Sequence, residues 1–154
     1  MRRFRPVLLS LLLLTTVPAQ AQQEPEGGNI SLAKEYTRKG EHEKATFLFG
    51  KLPSEAQTSA NVLPDYLQSL QSLKRHKDAE KLVKKALRQH PEEPAYGVTL
   101  GVVYAAAGNE SAAVKQYEKV VSQLTAAQVV PIASEFNRRK LPEWAEKTYL
   151  RGRE

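Results

Sequence analysis

The chain of 154 residues contains no cysteine. That excludes disulfides, Cys–zinc centres and lipidation at a signal-peptide cysteine. No apolar run approaches the ~20 residues needed to span a bilayer. The longest, Val7 to Val17, is interrupted by Ser10, Thr15 and Thr16 and stopped by Pro18. Histidine is scarce: His42, His76 and His90 are the only three. None stands four residues from another, as a helical metal pair would require. There is no glycine-rich phosphate loop, because Gly27-Gly28 falls in a polar tail and the other glycines mark turns. The serines follow no nucleophile-elbow pattern, and no segment alternates as a strand. Nothing here assembles a catalytic constellation, so the chain reads as a non-enzyme with no catalytic residues, cofactor or metal.

What is present begins with a leader. Arg2, Arg3 and Arg5 form a basic start, Val7–Val17 an apolar middle, and Ala19-Gln20-Ala21 a small-residue cleavage site. Residues 1–21 therefore read as a secretory signal peptide cut after Ala21. The expected location is a bacterial periplasm or the outside of the cell, with no membrane span after cleavage. The formal charge of +6 then shrinks, because removing three arginines leaves 20 Lys+Arg against 17 Asp+Glu. Lys74, Arg75, Lys77, Lys81, Lys84 and Lys85 alternate with Asp78 and Glu80, the pattern of a solvated helix face. No nucleic-acid partner is expected from it.

The most informative feature is a period of 34. Ala45, Ala79 and Ala113 keep that interval, as do Leu32, Tyr66 and Leu100, then Tyr36, Leu70 and Tyr104. Phe49, Val83 and Tyr117 keep it too, as do Leu52, Ala86 and Val120. Small and large apolar residues in one register point to stacked helix–turn–helix units, none of which buries its apolar face alone.

Helical periodicity runs from Ile30 onward. It predicts an all-α chain of eight helices in four pairs: about 29–39 with 42–52, 60–74 with 77–89, 94–107 with 110–123, and 126–139 with 142–152. Gly40 and Gly108 mark turns, since glycine suits the left-handed conformation after a helix. Pro91 closes the second pair and Pro142 opens the last helix. The fourth unit lags, because Ala145 follows Ala113 by 32 residues. Residues 22–28, rich in Gln, Glu, Pro and Gly, read as a disordered tail.

This register resembles the tetratricopeptide repeat. Leu100-Gly101, Tyr104, Gly108, Ala113, Tyr117 and Val120 match that pattern nearly throughout. Leu32-Ala33, Tyr36, Gly40, Ala45, Phe49 and Leu52 match well. The second unit keeps Leu67, Leu70, Ala79, Ala86 and Pro91, and the last keeps Ala133, Phe136, Ala145 and Tyr149. The resemblance covers about Ile30 to Tyr149. It implies a right-handed α-solenoid of about four repeats, near 26–59, 60–93, 94–125 and 126–154, within a domain over 29–154. Two features depart from the family: no unit has the early Trp, and Trp144 reads instead as packing between helices. No polar capping helix follows Tyr149, from which we expect self-association through the last repeat, a short and frayed array, or a longer protein of which this is the front.

In this family the first helix of each unit lines a concave face. Helical spacing assigns Lys34, Thr37 and Arg38 to that face in the first unit, and Gln68 and Gln71 in the second. Val98 and Val102 follow in the third, then Asn137 and Arg138 in the fourth. The expected groove is cationic at one end, amide-rich, apolar at its centre and basic at the other end. The resemblance implies a scaffold or adaptor that binds a partner protein or peptide there. The alternative is an N-terminal repeat module of a larger exported protein whose activity lies beyond residue 154.

Overall fold

The computed structural model describes residues 26–153. The expected signal peptide over 1–21, and residues 22–25 of the expected tail, lie outside the described residues. Among the described residues the chain forms nine α-helices and no strand. They are α1 (Glu26–Arg38), α2 (His42–Lys51), α3 (Ser54–Thr58), α4 (Leu63–Ser72), α5 (His76–Gln89), α6 (Pro94–Ala106), α7 (Glu110–Ser122), α8 (Ala126–Arg138) and α9 (Pro142–Arg151). None is long and apolar enough to cross a membrane.

Four helical hairpins, α1–α2, α4–α5, α6–α7 and α8–α9, are closed by one repeated device. Gly40, Lys74, Gly108 and Lys140 all take positive φ, between 55° and 78°. In each hairpin the next amide reaches back to the carbonyl five residues earlier. Glu41 donates to Tyr36, Arg75 to Leu70, Asn109 to Tyr104 and Leu141 to Phe136, at 2.8–2.9 Å. A second bond runs from the positive-φ residue itself, as from Lys74 to the Gln71 carbonyl at 2.9 Å. This double closure satisfies carbonyls that a helix end leaves without partners. Two of the four turns were legible as glycine. The two lysines adopt the same conformation without that signal.

Helix starts follow local chemistry. Pro64, Pro94 and Pro142 sit in first turns, where no intrahelical amide bond is lost. The Asn109 side chain accepts from the Ala112 amide at 3.2 Å to start α7. At α8 the Thr125 amide donates to Gln128 Oε1 at 3.0 Å.

Three differences from the sequence reading concern boundaries. α1 begins at Glu26, so Glu26–Gly28, assigned to the tail, form its first turn. α4 begins at Leu63 rather than near 60. The short α3 was not foreseen. Five residues carry too little periodicity to announce a helix, and tertiary bonds fix this one. Gln57 donates to the Leu52 carbonyl at 2.8 Å, and Thr58 Oγ1 bonds Gln89 Oε1 of α5 at 2.5 Å.

The core is a chain of three clusters. Ala33, Ala45, Phe49, Leu52 and Val62 join the first hairpin to the approach of α4. Leu67, Leu70, Ala79, Val83, Ala86, Leu100 and Val103 join the second hairpin to α6. Val98, Ala113, Tyr117, Ile132, Phe136, Trp144 and Ala145 join the third hairpin to the fourth. The four register alanines (Ala45, Ala79, Ala113 and Ala145) are all buried, and their small side chains let paired helices approach closely. Large residues fill the gaps between hairpins, each fully buried aromatic stabilising by about 1.5–3 kcal/mol. Tyr117 meets Phe136 edge-on at 5.5 Å and Trp144 at 5.2 Å.

Candidate functional site

The first helices of the last three hairpins share one face. Between α4, α6 and α8 they enclose a cleft of about 660 Å³. α4 supplies Leu63, Pro64, Leu67, Gln68 and Gln71; α6 supplies Ala95, Tyr96 and Thr99; Glu135, Arg138 and Arg139 close the far side. The spacing of Gln68 and Gln71 puts both amides on one face of α4.

The charged side rests on a buried carboxylate. Glu135 is only 4% exposed, yet it lies three and four residues before two arginines on the same helical track. Arg139 Nε donates to Glu135 Oε1 at 2.8 Å, and Arg138 pairs with Glu135 Oε2. Arg139 Nη2 also donates to Thr99 Oγ1 of α6 at 3.2 Å, tying α8 to α6. Burial lowers the Arg139 pKa from its ordinary value, with the neighbouring Tyr117 acting the other way. A guanidinium nevertheless keeps its charge in proteins. One carboxylate against two guanidiniums leaves this side of the cleft net positive.

A second cleft of about 800 Å³ adjoins the first and shares Ala60 and Tyr96 with it. Glu55, Glu92, Glu93 and His90 line it, so it carries the opposite sign. Tyr96 stands at the boundary, its hydroxyl 3.5 Å from the Thr58 carbonyl. Burial, and then Glu93 and Glu92, raise its phenol pKa.

Of the residues assigned from sequence, Gln68, Gln71 and Arg138 meet in the first cleft. Val98 does not line an open groove. It is completely buried among Ala113, Tyr117, Ile132 and Phe136, because α8 covers the α6 surface it occupies. Val102 is half-buried against the same cluster. The expected apolar centre is thus part of the core, and the cleft takes its apolar wall from Leu63, Pro64 and Ala95. Thr37 is also buried, bonding Ser69 at 2.9 Å across the α1–α4 contact. Lys34 donates to Asn61 Oδ1 at 2.5 Å and lies 3.7 Å from Asp65, outside the cleft lining. Arg38 and Asn137 are exposed and line neither cleft.

Glu135, Arg139, Thr99 and Tyr96 were missed. The signal for the first two was present in the spacing of Glu135, Arg138 and Arg139, which permits i,i+3 and i,i+4 pairs. The groups gathered here are amides, guanidiniums, a carboxylate and apolar walls, an assembly suited to holding a chain by hydrogen bonds and charge. No family model matches this chain, and no curated protein matches it.

Proposed function

We propose that this chain is an exported, non-catalytic adaptor whose helices form a right-handed solenoid of four tetratricopeptide-like units. It holds an extended segment of a partner protein along the face of α4, α6 and α8. The observation that carries this reading is the net-positive Glu135–Arg138–Arg139 cluster lining one cleft with the Gln68 and Gln71 amides. Amides recognise a peptide backbone, and guanidiniums recognise carboxylates with two parallel bonds. Leu63, Pro64 and Ala95 accept an apolar side chain between them. The opposite sign of the adjoining cleft orients the bound segment, with its acidic part at Arg138 and any basic part beyond Tyr96. The four-hairpin order and the 34-residue register support the repeat reading, and the composition of residues 1–21 supports export.

The test is capture from envelope extract by the wild-type protein, beside an Arg138→Glu, Gln68→Ala variant checked for unchanged helicity. The captured protein is then cut into peptides and titrated. Binding by an acidic–apolar peptide that the variant loses, and that weakens with salt, is the expected result. Equal binding by both proteins would remove this face from the function.

A further inference from the structure

The two ends of the helical stack expose positions that its interior buries. Val98 is 0% exposed, whereas Val130, 32 residues later at the same register, is 62% exposed. Tyr117 is 3% exposed and its equivalent Tyr149 is 41%. At the other end, Leu100 and Ile132 are each 4% exposed, but their equivalent Leu32 is 40%. The difference is one of covering. Val98 and Tyr117 are covered by the fourth hairpin, and no described element covers Val130 or Tyr149.

We propose that the α8–α9 face of one copy docks on the α1–α2 face of a second copy, head to tail. The interior of the protein supplies the pattern for this contact. Phe49 reaches forward from the first hairpin to meet the tilted ring of Tyr66 at 5.2 Å, and Tyr117 reaches forward to Phe136 at 5.5 Å. Tyr149 is the next residue in that series. On the receiving side, Leu32, Tyr36, Phe47 and Leu48 line an apolar slot of about 440 Å³. Tyr36 holds the same register as Phe136, the residue on which Tyr117 packs. The slot opposes docking with no block of like charge, because its two charged lining residues, Glu43 and Lys44, are of opposite sign and Lys44 also pairs with Glu41. The contact joins two different faces, so copies add head to tail, into a closed ring or an open filament according to the rotation between neighbours. The inference rests on register and burial, independently of what the cleft binds.

Sedimentation velocity of the purified protein over a concentration series reads the association. The expected result is growth beyond a dimer with concentration. A Val130→Asp, Tyr149→Glu variant blocks one face and Leu32→Asp the other, and each is expected to remain monomeric. All three positions are exposed, and circular dichroism checks that the helices persist. Mixed in equal amounts, the two variants are expected to form dimers and nothing larger, since only one intact pair of faces remains. A wild-type protein monomeric at every concentration, a Leu32→Asp variant that still self-associates, or a mixture without dimers would each overturn the proposal. Because the chain has no cysteine, a Leu32→Cys, Tyr149→Cys variant gives a second reading. Oxidation is expected to yield a ladder of cross-linked oligomers on a non-reducing gel. Monomer alone on that gel would count against the contact.

Discussion

Arg139 donates from Nε to Glu135 at 2.8 Å and from Nη2 to Thr99 at 3.2 Å, so one guanidinium ties a buried carboxylate of α8 to a hydroxyl of α6. Arg138 is largely exposed and meets the same carboxylate from the solvent side. The two arginines are therefore unequal in what they hold. Arg139→Ala leaves the buried Glu135 carboxylate without its Nε partner and should lower stability by about 1–3 kcal/mol. Arg138→Ala should cost less than about 1 kcal/mol. Urea midpoints measure both, and equal losses would show that solvent screens the two pairs alike.

The turn residues give a prediction of opposite sign. Lys74 and Lys140 hold φ of 55° and 60°, a conformation that costs an L-residue about 1–2 kcal/mol. Glycine avoids that cost but loses about 0.5–1 kcal/mol in backbone entropy. Lys74→Gly and Lys140→Gly should each raise stability by about 0.5–1 kcal/mol in thermal melts. Gly40→Ala and Gly108→Ala should lower it by a similar amount. An added Cβ meets nothing within 4 Å at either glycine, so the loss would come from the backbone alone.

Gly101 is required for a different reason. A Cβ there would lie 2.1 Å from Tyr117 Cε1 and 2.5 Å from Cδ1. Tyr117 is itself wedged against Phe136 and Trp144, so the ring has little room to retreat. Gly101→Ala should destabilise by about 1–3 kcal/mol through overpacking. Unfolding in urea measures it, and an unchanged midpoint would show that the third cluster repacks freely.

Alkaline pH should loosen the same cluster. Burial, with Glu110 adding to it, raises the Tyr117 pKa to about 12 from an ordinary 10.0. The folded state therefore keeps a proton that the unfolded state has begun to lose. The stability linked to this group is full below pH 10 and is lost as pH rises through about 12. Burial raises Tyr66 and Tyr96 in the same direction. Stability measured across that window should fall, and Tyr117→Phe should make the fall shallower. An identical slope in the variant would assign the alkaline loss to other groups.

The all-helical class was legible because its cause is local and repeated. Apolar residues at helical spacing, Gly40 and Gly108 at turns, and Pro94 and Pro142 in first turns act within a few residues of one another. They placed most helix ends within a residue or two. α3 was invisible because its bonds come from Gln57, Thr58 and the distant Gln89. The candidate site divides along the same line. Helical spacing shows which residues share a face, and Gln68 and Gln71 line one cleft.

Spacing does not show what lies opposite that face. Val98 and Val130 hold the same register, and only the packing of α8 on α6 buries the first and leaves the second in water. Glu135 has the composition of a surface residue, and its burial arises only where α8 meets α6 through Arg139 and Thr99. Every described helix except α3, the pairing of those helices and the 34-residue register were legible in the sequence, because they follow from backbone sterics and local spacing. Tertiary structure alone decided which members of that register became core, cleft or open end, because burial depends on the neighbour that covers each position.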